Sequence, residues 1–310
     1  MEKPACRVIG RMGCLVLVVA CNVLFAQEGW TELTDFLVVS DGTHSLGDTD
    51  ADFNETRDQG SKIVFFDRQR GDNAAAEVYW WDGHRIVDSS GSPTNADGTA
   101  YGANPLDPNE DAIKPFAYPI RDPRLRSHYR VAAGYPDLFL LRRGHVHDTF
   151  DIEFWGGRSE TEPMVVAAYG PLADGRAIVE QEGSSPLSQH THGDTVVKFH
   201  QVLAGLEVYG GLSHLGMHDG CTSPGAPGVP TWLIEDCRLV NAQMNYLPIG
   251  TTVRRSISAF RRHPDAHNQG YFTSGFDAAT TFDEVIFYKN GYNNDPRANA
   301  DPSRDIFSRN

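Results

Sequence analysis

A short pattern that returns four times in the second half of the chain limits the architecture more than any other feature. Written apolar-x-x-small/apolar-x-apolar, it occurs at Leu203/Leu206/Val208, Ile234/Cys237/Leu239, Val253/Ser256/Ser258 and Phe282/Val285/Phe287. The first members are 31, 19 and 29 residues apart. The period-two alternation that ends each motif buries one face of a strand and turns the other to water. One such unit cannot bury its own apolar face, whereas stacked units share a continuous core. The pattern therefore predicts coils stacked with parallel strands above one another, the spacing being that of a parallel β-helix with loops of unequal length. A β-sandwich is the competing architecture. Against it, no Asn-Gly hairpin turn separates Ile234–Val240 from Val253–Phe260, and the motif repeats in one direction rather than as facing pairs.

Upstream of the repeat, apolar runs of about four to six residues are separated by Gly, Pro, Asn and Asp, which predicts strands rather than helices. Phe139–Leu141, Phe150–Phe154, Met164–Tyr169, Ala177–Val179 and Val196–Phe199 form this set. Trp30–Ser40 reads as a first strand. Asp41–Ala133 is mostly irregular, with a strand pair at Lys62–Phe66 and Glu77–Val87 and a Gly/Pro/Asn/Asp-rich segment over Asp88–Pro115. So long a stretch with few periodic apolar residues reads as an excursion from a scaffold rather than a core. Pro123–Ala133 is the best helix candidate, with Pro in its first turn, Leu125, Tyr129, Val131 and Ala132 on its apolar side and Gly134 as the stop. The chain from Gln27 to Asn310 is expected to be a single all-β domain, with a loop-rich excursion over 41–122 and coils over 134–310.

The first 26 residues read as an export signal: Lys3, Arg7 and Arg11 precede an apolar run from Cys14 to Ala26 that is too short to span a bilayer. Cleavage after Ala26 makes the protein secreted or periplasmic, with no membrane span in the mature chain. Val18-Val19-Ala20-Cys21 also fits a lipoprotein box, which would anchor a lipid at Cys21. Of five cysteines, Cys221 and Cys237 remain after processing, and an oxidising compartment allows them to bridge; alternatively Cys237 is a buried hydrophobe. With 27 Lys and Arg against 41 Asp and Glu, the net charge of −14 argues against nucleic acid held by broad phosphate neutralisation. An anionic ligand needs a local basic groove.

Gly134–Gly144 (GYPDLFLLRRG), Phe154–Ser159 (FWGGRS) with Glu162–Val166, and Asn268–Tyr271 together resemble bacterial exported right-handed parallel β-helix proteins of the pectate-lyase-like superfamily. The resemblance covers Trp30 to the end, with Asp41–Pro115 as an insertion. It implies the fold and an amino-terminal helix, Pro123–Ala133, capping the open end of the solenoid. It implies less about activity, since members include polysaccharide lyases, uronate epimerases, glycoside hydrolases and proteins of no assigned chemistry.

Arg254, Arg255, Arg261, Arg262, His263, Asp265, His267, Asn268, Gln269 and Tyr271 form the richest constellation. Four arginines within nine residues make a basic strip, and guanidinium forks suit carboxylates in bidentate geometry. The partner this suits is an acidic polysaccharide, bound along the exposed face of the coils. Lyases of such polymers need a positive group to stabilise an enolate and a base to remove the proton alpha to the carboxylate. Arg262, His267 and Tyr271 are the candidates for catalysis, and Arg254, Arg255, Arg261, His263, Asp265 and Gln269 for substrate binding. Asp265-Ala266-His267 resembles the Asp-Pro-His turn of uronate epimerases but lacks its proline. The bland alternative makes these residues solvated turn positions paired with the many acids. A non-catalytic surface or envelope scaffold that binds glycan or protein is the competing function.

Asp48, Asp50 and Asp52, with Asn54 and Glu55, offer oxygen ligands for calcium, although Phe53 and Gln59 break the EF-hand pattern. His190-Thr191-His192-Gly193-Asp194 resembles a binuclear-zinc spacing but has Thr195 where the next His belongs. Asp305–Asn310 reads either as the opening of an uncompleted coil, whose bare edge would promote self-association, or as a frayed polar tail.

Overall fold

In the computed structural model, the described residues are 30–46, 57–118, 125, 135–147, 157–180, 200–209, 232–240, 251–259 and 281–288. Met1–Glu32 forms one compact unit, of which Trp30–Glu32 are described, and Leu33–Asn310 forms a second. Among the described residues of the second unit the regular elements named are two short 3-10 turns (Leu33–Phe36 and Leu172–Asp174) and fifteen strands. The strands are β1 (Lys62–Phe66), β2 (Tyr79–Trp81), β3 (Ile86–Val87), β4 (Leu138–Arg142), β5 (Val146–His147), β6 (Met164–Tyr169), β7 (Ala177–Glu180) and β8 (Gln201–Ala204). They continue with β9 (Leu206–Tyr209), β10 (Trp232–Glu235), β11 (Arg238–Val240), β12 (Thr251–Arg254), β13 (Ile257–Ala259), β14 (Thr281–Asp283) and β15 (Ile286–Tyr288).

The strands make two sheets. Nine lie in the order β14-β12-β10-β8-β6-β4-β1-β2-β3 and six in the order β15-β13-β11-β9-β7-β5. From β4 onward each consecutive pair of strands places one strand in each sheet, and like strands stack parallel and in register. One column runs Phe139, Val166, Leu203, Ile234, Val253, Phe282. In the smaller sheet Val179, Val208, Leu239 and Ser258 align in the same way. The described structure is thus all-β with long parallel stacks, and the four motif sites each supply an inward residue of a larger-sheet strand, a bend, and an inward residue of a smaller-sheet strand.

Two cores result. Between the sheets lie Val64, Phe66, Phe139, Leu141, Val166, Leu203, Ile234 and Val253 from the larger sheet, against Ala177, Val179, Leu206, Val208, Cys237 and Leu239. On the opposite face of the larger sheet, Ile63, Phe65, Leu138, Leu140, Val165, Ala167 and Tyr169 pack with Tyr79, Tyr101, Ala112 and Ile113. Leu33, Phe36, Leu37 and Leu106 close over that face. The segment expected to be a mere excursion therefore contributes a core of its own. It covers β4 and β6, and because those strands are buried on both sides they read as continuous apolar runs rather than alternating ones. Strands β7 and β9, uncovered on one side, alternate. Trp30–Ser40 is not the strand its composition suggests: Leu33–Phe36 is a 3-10 turn, and only Val38 and Ser40 make strand-like bonds, to Ser61 and Trp81. The expected helix at Pro123–Ala133 lies outside the described residues except for Leu125, which is buried in the inter-sheet core.

Charge is also buried at the β1 end of the stack. Lys62 and Asp137 stand opposite each other at the starts of β1 and β4, both fully buried, with Lys62 Nζ 3.4 Å from Asp137 Oδ2. Arg57 donates to Asp137 Oδ1, and its guanidinium lies 3.6 Å from the centroid of the Tyr135 ring. Burial lowers the Lys62 ammonium from 10.5 to about 8, Asp137 partly opposing and Arg57 adding to the effect. For Asp137, burial acts upward, but Arg57 and Lys62 outweigh it and hold the carboxyl below its ordinary range.

Removing one partner of a buried ion pair strands the remaining charge, so Asp137→Asn is expected to destabilise the protein by about 3–5 kcal/mol in urea unfolding. The pH dependence has a definite sign. Between about 8 and 10.5 the unfolded chain holds more protons at Lys62 than the folded one, so stability from this group rises with pH across that window. Lys62→Met should flatten that alkaline rise. Stability from Asp137 is present above the ordinary carboxylate range and is lost as pH falls through its depressed folded value.

Candidate functional site

Where β4 leaves the larger sheet, the turn Arg142-Arg143-Gly144-His145 gathers three basic residues beside the bend into β5. Gly144 is required at its tip: φ is +71°, and a Cβ there would come within 2.9 Å of the Asp174 carbonyl oxygen. The turn is fastened to the next pair of strands by Gly144 N–H donating to the Arg176 carbonyl at 3.0 Å and by Ile178 N–H donating to that of His145 at 3.0 Å.

The three side chains have different fates. Arg142 is engaged by acids on both sides, with Nε 2.8 Å from Glu110 Oε1 and Nη1 2.8 Å from Asp174 Oδ2. Burial acts to lower its guanidinium, but these two acids outweigh that and raise it. Arg143 donates from Nη1 to the Gly175 carbonyl at 2.9 Å and makes no ion pair with a carboxylate among the described residues. Burial lowers its basicity, Asp236 offsets part of this, and Arg176 and Arg142 lower it further. Its guanidinium also approaches Gly205, where a Cβ would stand 3.3 Å from Nη2. Next to it, Arg176 donates from Nε to the Asp236 carbonyl at 2.8 Å and pairs with the Asp236 carboxylate through Nη2.

His145 turns toward β1. Its Nδ1 lies 2.7 Å from Oδ1 of Asp67, the residue after β1. Asp67 is 1% exposed, and the same oxygen accepts the backbone N–H groups of Gln69 at 2.9 Å and Arg70 at 3.2 Å. A carboxylate only accepts, so it fixes the imidazole with its proton on Nδ1 and leaves the Nε2 lone pair available. The turn thus holds, toward the later levels, a guanidinium that no carboxylate pairs with among the described residues and, toward β1, an imidazole bonded to a buried carboxylate.

Of the residues expected to form the site, Arg254 and Arg255 are described. They hold Glu235, which is 2% exposed: Arg254 reaches Oε1 from Nε at 2.7 Å and Oε2 from Nη2 at 3.2 Å, and Arg255 Nη1 reaches Oε1 at 2.8 Å. Arg255 Nε is 3.0 Å from Glu284 Oε2. Both guanidiniums therefore clasp carboxylates of neighbouring strands. Arg261, Arg262, His263, Asp265, His267, Gln269 and Tyr271 lie outside the described residues, as do the calcium candidates Asp48, Asp50 and Asp52 and the Cys221 half of the proposed disulfide. Cys237 is a buried thiol, its Sγ 3.4 Å from the Glu235 carbonyl oxygen and 3.6 Å from that of Leu203; burial pushes it up to about 12. Among the described residues no three His, Cys, Asp or Glu side chains are grouped to hold a metal, and no helix is long and apolar enough to cross a membrane.

The Asp67–His145 pair escapes a reading of the sequence because its members are 78 residues apart. The available signal is Arg-Arg-Gly-His directly after a buried strand, where polar side chains at a strand exit meet a glycine turn. No family model, no curated protein and no solved structure matches this chain. Because Glu235 is the shared acceptor of two arginines, Glu235→Gln should lower the unfolding free energy by about 3–5 kcal/mol, measured by chemical denaturation.

Proposed function

We propose that the protein is an exported right-handed parallel β-helix of the pectate-lyase-like kind that binds acidic polysaccharide, with the Arg142–His145 turn as the seat of a uronate carboxylate. The observation that carries this reading is Arg143: a half-buried guanidinium that no carboxylate claims among the described residues of a chain with net charge −14. In a protein so rich in acids, a partly desolvated arginine with no ion-paired carboxylate among the described residues is the natural receptor for an external one, because its fork matches a planar carboxylate. The parallel stacks support the fold half of the reading, since stacked strands give a repetitive corner along which a polymer can lie.

The overall negative charge repels a polyanion at long range, so binding on this reading is local to the turn, and salt screens both that repulsion and the attraction of the guanidinium. Whether the bound polymer is also turned over by elimination or epimerisation is the enzymatic form of the proposal, for which Arg262, His267 and Tyr271 stand as the sequence-based candidates. A non-catalytic surface scaffold is the second form. It is favoured by Arg254 and Arg255, two members of the expected substrate strip that instead tie strands together.

Binding to polygalacturonate and alginate, compared with neutral amylose, tests the proposal. Arg143→Ala should weaken binding to an acidic polymer by about tenfold or more, the scale of one charge-assisted hydrogen-bond pair, while circular dichroism stays unchanged. Unaltered affinity in that variant would remove the seat.

A further inference from the structure

We infer that Gly205 is the specificity-determining residue of the anion seat: its missing side chain leaves a notch beside the Arg143 guanidinium, which admits the carboxylate of an acidic sugar where the fold could otherwise have placed an acid of its own. The inference rests on the reading of Arg143 as that seat. Three observations carry it.

The first is geometric. A Cβ on Gly205 would stand 3.3 Å from Nη2 and 3.6 Å from Nη1 of Arg143, and 3.4 Å from the Cβ of Ala168. Both ends of the guanidinium fork thus border the space that a side chain at 205 would take. Nη1 is bonded to the Gly175 carbonyl, whereas Nη2 makes no hydrogen bond among the described residues. The second observation is that backbone conformation does not call for a glycine at this bend. Gly205 has φ 69°, but the bends after β10, β12 and β14 reach 53°, 48° and 52° with Asp236, Arg255 and Glu284. Asp and Asn are among the residues that tolerate this left-handed region. Two of those bends carry an acid, and each pairs with an arginine, Asp236 with Arg176 and Glu284 with Arg255. The bend beside Arg143 has none to offer.

The third observation is the local balance of charge. Arg143 follows β4, Arg176 precedes β7, Gly205 follows β8 and Asp236 follows β10, so the four lie on successive levels of the stack. Arg176 reaches past the level of Gly205 to Asp236, donating from Nε to its carbonyl at 2.8 Å and pairing with its carboxylate through Nη2. Arg142 is already held by Glu110 and Asp174. Among the described residues, Arg143 and Arg176 therefore share this part of the corner with one carboxylate. A ligand carboxylate in the notch supplies the second, and its two oxygens match the fork. A neutral sugar supplies no charge there, so the notch discriminates by the acid group rather than by the ring.

The test measures the affinity of the full-length mature protein and its variants for polygalacturonate, with amylose as the neutral control. Gly205→Asp gives the notch an internal acid and is expected to weaken binding about tenfold or more, as Arg143→Ala does, with Tm at or above the wild-type value. Combining Gly205→Asp with Arg143→Ala should cost nothing beyond either change alone, because both remove one seat. Asp236→Asn works in the opposite direction: it removes the acid that competes for the two guanidiniums, and should tighten binding about two- to fivefold, the range of a partly exposed ion pair. If Gly205→Asp does not fold, Asp236→Asn decides. Wild-type affinity in Gly205→Asp, a further loss in the combined variant, or no tightening in Asp236→Asn overturns the notch, and the Arg143 seat stands provided that Arg143→Ala still weakens binding. If Arg143→Ala binds like wild type, or wild-type protein binds no acidic polymer, both fall.

Discussion

The structure depends on how sharply the chain can turn between its two sheets. From β8 onward, a strand of the larger sheet and the next strand of the smaller one are joined by a bend of only one or two residues, whereas longer turns join β4 to β5 and β6 to β7. The chain makes this bend with a single residue of left-handed conformation: Gly205 at φ 69°, Asp236 at 53°, Arg255 at 48° and Glu284 at 52°. Glycine adopts that conformation without penalty, whereas the other three each sacrifice roughly 1–2 kcal/mol. The compensation is electrostatic. A bend of this kind carries its side chain on the corner of the stack, where Asp236 meets Arg176, and Arg255 meets Glu235 and Glu284.

The corner therefore acts as a ladder of charges that ties successive levels together, and among its described arginines the one at the candidate site lacks an ion-paired acid. Arg142, Arg176, Arg254 and Arg255 each have an acid in a neighbouring segment. Among the described residues Arg143 bonds to a carbonyl oxygen and pairs with no carboxylate, Asp236 acting on it only at longer range. Exposed pairs add little to stability, but Glu235 and Asp137 are buried, and there the loss of a partner is severe. The same chemistry thus stabilises most of the described corner and leaves Arg143 without an ion pair there.

The repeat was legible because its period is imposed by packing. Leu203, Ile234, Val253 and Phe282 must all point into one column, and Leu206, Cys237 and Val285 must all follow a bend, so the pattern survives variation in the loops. Strands β4, β6 and β7 were legible as apolar runs for the same reason. The bends were not, since Asp236, Arg255 and Glu284 are ordinary charged residues with nothing to mark a positive φ. Trp30–Ser40 has strand composition yet turns, because its apolar residues serve to cover Tyr169 and its neighbours rather than to extend a sheet. The role of Arg254 and Arg255 was hidden by the register, which alone places Glu235 beside them. His145 and Asp67 became neighbours through the pairing of β1 with β4, a contact no local pattern announces.

That pairing also separates two properties that often coincide. Joining Ile63 to Leu138 closes a loop far longer than the 19 to 31 residues between successive repeats, and the entropy of closure grows with loop length. Loop closure therefore favours the repeats as the place where the chain first finds its register. The β1 end has the opposite character: the larger sheet is covered on both faces there and buries its charges. The later repeat strands β12, β14 and β15 are the less enclosed ones, while the doubly covered β1, β4 and β6 wait for the most distant segment to arrive. A chain still emerging from synthesis, with its amino-terminal part made first, would hold that covering segment ready until the strands it shelters exist.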